Sequence, residues 1–189
     1  MAGLRPGQIV WSAMMSQARA VKSGYVVTYP NREKRSSRVT RTAVAVVLAL
    51  SALLMLFVTF AGWSKLAGLE PLNILWCLVY LVMAAYVMRW ARELLPIAVG
   101  LAALMFVFTI IAETAAAGIT WTDRNGSDYA PVHSIFGGGG LSPSTLSALT
   151  IVIAITQLLL IAAAVYAFGQ AWNIEYEVPA AELGAAVRA

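Results

Sequence analysis

Four long apolar segments alternate with polar links along the chain. A helix needs roughly 20 predominantly apolar residues to cross a hydrocarbon core about 30 Å thick, and each segment meets this requirement. We therefore predict an all-α membrane protein whose four transmembrane helices form a bundle. The predicted spans are residues 43–63, 72–90, 94–119 and 146–172, with an outer loop at 120–145.

Local signals support the starts of the later spans. Pro71 and Pro96 lie in the opening turns of spans two and three. Proline suits this position because the backbone N–H that it lacks would have no helical partner there. Before span four, the hydroxyl of Ser142 or Ser144 is suited to accept a hydrogen bond from a free amide and so to cap the helix.

The distribution of lysine and arginine predicts the orientation. With four spans, eleven of the 13 positive residues fall on one side, and only Lys65 and Arg124 fall on the other. Positive residues concentrate in cytoplasmic loops. We therefore expect a multi-pass protein of the cytoplasmic membrane with both termini in the cytoplasm.

Composition agrees with this class and narrows the chemistry. The chain is 60% hydrophobic and 12% charged, whereas soluble domains carry about 25% charged residues. Cys77 and His133 are the only cysteine and histidine, which excludes an intramolecular disulfide and bis-histidine haem ligation within this chain. DRNGSD at 123–128 resembles part of a calcium loop without its later glutamate, and an Asx-rich turn is the alternative. We expect no catalytic residue, no cofactor and no metal site.

The N-terminal arm, residues 1–42, begins with a segment of helical periodicity. Trp11, Met14 and Met15 belong to an apolar stripe within residues 7–23. This spacing predicts an amphipathic helix that lies on the inner leaflet or docks on a partner. A poorly ordered terminus is the alternative interpretation.

Two short segments have the composition of β-strands. YVVTY at 25–29 and NIEYEV at 173–178, the latter opening the acidic tail at 173–189, are each followed by proline. We predict that they meet as a cytoplasmic two-stranded ribbon, which is marginal alone and which a partner could complete. Cysteines at Val27 and Tyr176 are expected to crosslink. The candidate contact residues are Tyr25, Val27, Tyr29, Ile174, Tyr176 and Val178.

A basic stretch precedes span one. Its position favours anionic lipid headgroups over nucleic acid, and each such residue near the surface contributes about 1 kcal/mol. A role in fixing the topology is the simpler alternative. The candidate headgroup contacts are Arg32, Lys34, Arg35, Arg38 and Arg41.

Two polar residues fall within the apolar spans. At 1.5 Å per residue, Glu113 lies about 28 Å from the start of span three, close to the outer interface, where a functional or inter-subunit role and simple hydration are both open. Gln157 lies near the middle of span four. There we favour an interhelical hydrogen bond, worth on the order of 1 kcal/mol.

Two resemblances extend this interpretation. The segment 60–66, FAGWSKL, resembles the Gly-x-x-Lys signature of DoxX-type four-span membrane proteins. The overall plan, with a basic N-terminal arm, an alanine-rich bundle and a tail such as AFGQAWNIEYEVP, resembles the four-span accessory subunits of actinobacterial membrane complexes. One such group accompanies Mce-type lipid importers, which implies an accessory role.

The leading hypothesis is a non-catalytic accessory or assembly subunit of a larger cytoplasmic-membrane complex such as a lipid transporter. Its partners are expected to be membrane lipids and other membrane-protein subunits, and not nucleic acid. One alternative is a DoxX-like membrane enzyme or redox helper that needs Lys65 or Glu113. Another is a small homo-oligomeric transporter with Glu113 and Gln157 at its subunit interface.

Overall fold

Within the part of the chain that the structure describes, four helices are long and apolar enough to cross a membrane, as predicted. The computed structural model of the protein describes residues 24–66, 69–113 and 133–179. The four helices are α2 (Arg35–Ala61), α3 (Glu70–Met88), α4 (Leu94–Glu113) and α5 (Pro143–Gly169). Two shorter elements accompany them, α1 (Pro30–Glu33) and a 3-10 turn (Trp63–Lys65). The predicted amphipathic helix, with Trp11, Met14 and Met15, lies outside the described residues.

The four long helices pack so that α2 contacts both α3 and α5, and α5 also contacts α4. Helices α3 and α4 contact each other much less. Eight of the buried residues are alanines, and small residues allow the close approach of helix backbones that favours association in lipid. The buried alanines of the bundle are Ala45, Ala52, Ala84, Ala98, Ala102, Ala154, Ala164 and Ala167.

The local signals predicted at the starts of the later spans are confirmed. Pro71 occupies the first turn of α3. Ser142 is the N-cap of α5, and its Oγ accepts a hydrogen bond from the backbone N–H of Thr145 at 3.2 Å.

Helix α3 ends in a Schellman motif built around a tryptophan. The backbone N–H of Trp90 donates to Val87 O at 2.9 Å, and that of Ala91 donates to Tyr86 O at 3.2 Å. Trp90 has φ +69°. This left-handed conformation is usual at this position of the motif, where the residue is most often glycine. The left-handed backbone conformation of a non-glycine residue such as Trp90 costs about 1–2 kcal/mol.

Helix α2 begins earlier than predicted. The span was expected to start at residue 43, whereas the helix starts at Arg35 and includes most of the basic stretch. Hydropathy detects only the part of a helix that suits the hydrocarbon core. The helix continues beyond it because arginine is itself a good helix former.

Residues 24–30 and 174–179 belong to a unit of their own, separate from the helical unit. In it, β1 (Tyr25–Thr28) pairs antiparallel with β2 (Tyr176–Pro179), which confirms the predicted pairing. The second strand was expected at 173–178 and instead starts at Tyr176 and includes Pro179. It starts there because Tyr176 lies opposite Thr28, the last residue of β1. Proline is tolerated because both strands of a two-stranded ribbon are edge strands.

The register corrects the expected crosslink. Val27 lies opposite Glu177, and Tyr176 lies opposite Thr28. Side chains alternate between the two faces of a strand, so Val27 and Tyr176 point to opposite faces and are the wrong pair.

Cysteine pairs that follow the register should oxidise, and the earlier pair should not. In an antiparallel ribbon the opposed Cα atoms are about 4.5 or 5.5 Å apart in alternation, distances that suit a disulfide. We therefore expect at least one of the adjoining pairs, Val26–Val178 or Val27–Glu177, to crosslink in native membranes, measured by non-reducing gel mobility. The Val27–Tyr176 pair is the matched control. Equal crosslinking of all three pairs would contradict the register.

Candidate functional site

The bundle contains an apolar cleft of about 290 Å³ in the half where α2 ends and α3 begins, here called the loop end. All four long helices contribute to its walls. The lining side chains are Met55, Val58, Thr59, Leu66, Leu69, Leu72, Asn73, Met105, Phe108, Thr109, Ile111, Ala112, Thr150 and Ile153.

The cleft opens sideways between α3 and α4. Its walls on α2 and α5 are buried, as at Met55 and Ile153, which are 5% and 4% exposed. Its outer edge is exposed, as at Leu72 of α3 and Phe108 of α4, which are 47% and 43% exposed. The opening follows from the weak contact between α3 and α4, and in a bilayer it faces lipid.

The threonine hydroxyls of the cleft donate their hydrogen bonds to backbone carbonyls of their own helices. The hydroxyls of Thr59, Thr109 and Thr150 donate to the carbonyls of Met55, Phe106 and Leu146 at 2.7, 2.7 and 2.9 Å. Asn73 Nδ2 donates to Thr59 Oγ1 at 3.3 Å. Since these hydroxyls turn back to their own helices, the surface of the cleft is more apolar than its list of lining residues suggests.

A polar layer adjoins the cleft, one turn along α5 from Ile153 and farther from the loop end. The Tyr80 hydroxyl of α3 donates to Gln157 Oε1 of α5 at 2.8 Å, and both side chains are fully buried. The interhelical hydrogen bond expected for Gln157 is thus confirmed. Among the described residues, Gln157 Nε2 and Ser51 Oγ have no hydrogen-bond partner. The Trp76 ring adjoins this layer, 6.4 Å from the Tyr80 ring and 6.1 Å from that of Phe108.

Glu113 and Gln157 do not share a partner. Glu113 lies at the end of α4, where its Oε2 accepts a hydrogen bond from the Ser147 hydroxyl of α5. Its Oε1 is buried with no hydrogen-bond partner among the described residues. Gln157 has no exposed surface, so a second subunit would reach it only if the bundle opened. Lys65 is 7% exposed, in the 3-10 turn.

The opposite end of the helical unit, here called the basic end, carries a cluster of aromatic and arginine side chains. The rings of Trp90 and Trp172 meet edge to face at 5.4 Å. The guanidinium of Arg41 lies 4.2 Å from the centre of the Trp90 ring, and that of Arg32 lies 5.9 Å from it. Sequence reasoning missed this cluster, because its members lie far apart in the chain.

The five basic residues expected at lipid headgroups differ in what they contact. Arg32 Nε donates to Trp172 O at 3.0 Å, Arg38 donates to Glu33 O, and Arg41 stacks on Trp90. The side chains of Lys34 and Arg35 are exposed. Headgroup contact therefore stays a prediction for all five residues.

The ribbon brings together four of the residues proposed from sequence, on two faces. Val26, Thr28, Tyr176 and Val178 share one face, here called the Val26 face. Tyr25, Val27, Glu177 and Pro179 share the other, here called the Val27 face. The Tyr29 hydroxyl donates to Glu175 Oε1 at 2.9 Å beside the strands. Ile174 is 41% exposed just before β2.

Within the described part of the chain, no three His, Cys, Asp or Glu side chains lie close enough together to hold a metal ion. No protein-family model, curated protein or solved structure matches the chain.

Proposed function

We propose that the protein is a non-catalytic accessory subunit of a larger membrane complex, and that the ribbon is its contact with another subunit. The observation that carries the proposal is the ribbon itself. Two distant chain ends converge to build it, and a two-stranded ribbon is marginal alone in water.

The chemistry of the Val26 face supports a protein partner. Val26 is 44% exposed and Tyr176 is 56% exposed, on the same face. Aromatic and aliphatic side chains of this kind form the centres of protein interfaces. The Val27 face carries Glu177 at its centre and has less exposed apolar surface.

The test is purification of the full-length chain, tagged at its C-terminal end, from native membranes in mild detergent. We expect a defined set of proteins to co-purify with the wild type. The double substitution Val26→Ser and Tyr176→Ser should remove them, because truncating interface anchors typically costs about 2 kcal/mol or more each.

The matched control is Val27→Ser with Glu177→Ser, which alters the other face of the same strands and should keep the partners. Oxidation of the Val27–Glu177 cysteine pair in the Val26-face variant checks that the ribbon still forms. A single species at the monomer mass, or equal loss of partners from both variants, would overturn the proposal.

A further inference from the structure

The geometry points to a lipid-binding site, in which the cleft at the loop end holds one acyl chain of a membrane lipid. This inference does not rest on the proposed function, because it depends on the bundle and not on the ribbon.

The size and lining of the cleft select an apolar occupant. An engineered apolar cavity of about 150 Å³ stays dry and binds benzene, and this cleft measures about 290 Å³. Water needs two to four polar partners, whereas the hydroxyls of Thr59 and Thr109 are already bonded to Met55 O and Phe106 O. An α-helix with side chains is about 10–12 Å wide, which is too large for a cavity of this volume.

The position of the opening indicates that the apolar occupant of the cleft comes from a membrane lipid. The mouth is bordered by the exposed side chains Leu69, Leu72, Phe108 and Ile111, on helices that span a membrane. An acyl chain therefore enters from the bilayer without crossing a polar barrier. Lipid pockets of this kind keep an apolar lining and a preformed shape.

Ala112 provides a way to fill the cleft, and Ala103 provides the control. Ala112 lines the cleft near the end of α4. Ala103 lies on the same helix, is exposed, and is not part of the lining. A phenylalanine at 112 occupies the space of the chain, whereas one at 103 extends into bulk lipid.

The experiment reconstitutes the full chain in dioleoylphosphatidylcholine vesicles, extracts it in mild detergent, and counts bound lipid by native mass spectrometry. We expect about one retained lipid per wild-type and Ala103→Phe chain, and roughly tenfold weaker retention by Ala112→Phe. Equal retention by all three proteins would overturn the inference. So would a retained molecule without an acyl chain.

A second measurement covers the case in which Ala112→Phe does not fold. Phosphatidylcholine with brominated acyl chains quenches nearby tryptophan fluorescence, and Trp76 contacts the cleft residue Phe108. The signal of Trp76 is the difference between the wild type and Trp76→Phe. In detergent with about one brominated lipid per chain, we expect this signal to be quenched. An unquenched Trp76 would overturn the inference.

Discussion

Replacing Trp172 with alanine is expected to lower the free energy of unfolding by about 3–5 kcal/mol, the range for large buried aromatic side chains. Trp172 is fully buried, and its ring meets that of Trp90 edge to face. Its Nε1–H donates to Gln170 Oε1 at 2.9 Å, and Gln170 Nε2 donates in turn to Thr40 Oγ1 at 3.0 Å. The substitution therefore removes a large buried ring. It also removes the hydrogen bond that holds Gln170 in place for its own bond to Thr40 of α2.

The measurement is equilibrium unfolding in detergent micelles followed by circular dichroism, because the substitution itself changes the tryptophan fluorescence. Trp172→Phe is the control. It keeps an apolar ring and loses the N–H donor, so it should cost about 1–2 kcal/mol. An alanine variant within about 1 kcal/mol of the wild type would show that the cluster at the basic end does not hold the helices together.

The parts of the fold that follow from local chemistry were predictable from the sequence. Helix length follows from the run of apolar residues, and the start of α5 follows from the hydroxyl of Ser142. Both depend on residues adjacent in the chain. The two strands were also recognisable, since β-branched and aromatic residues favour a pleated backbone.

The exact partners of residues that lie far apart in the chain were not predictable. The alternation of a strand assigns faces but not the opposing residue, and a one-residue slip exchanges the faces. This is why Val27 and Tyr176 were wrongly paired. Trp90 lies where glycine is usual, and its neighbours Arg41 and Trp172 come from distant parts of the chain.

The cleft was missed for a similar reason. Thr59, Thr109 and Thr150 come from three helices and look like ordinary polar interruptions of apolar spans. Only the packing shows that they line one space and that their hydroxyls face away from it. Gln157 was the one useful signal near the cleft. Its position close to the centre of a span predicted a hydrogen bond to another helix, and the structure shows that Tyr80 is the partner.

Arg92→Ala is expected to destabilise the protein by about 2 kcal/mol. Its Nε and Nη2 donate to Phe168 O at 3.0 and 2.8 Å, and its Nη1 donates to Asn173 Oδ1 at 2.7 Å. Its guanidinium also lies 4.1 Å from the centre of the Phe168 ring. Hydrogen bonds that involve a charged group each contribute about 1.5–3 kcal/mol, and solvent at this half-buried site reduces their sum.

Arg89→Ala is the matched control, because Arg89 lies in the same link between α3 and α4 and its side chain is exposed. Both substitutions remove one positive charge from one link, so they weaken the topological signal equally. Only Arg92→Ala removes the cap from the last turn of α5. Arg92→Lys should recover part of the loss, since lysine keeps the favourable charge at the helix C-terminus but lacks the planar fork. Equal stability of the Arg89 and Arg92 variants in detergent unfolding would mean that Arg92 acts through its charge alone.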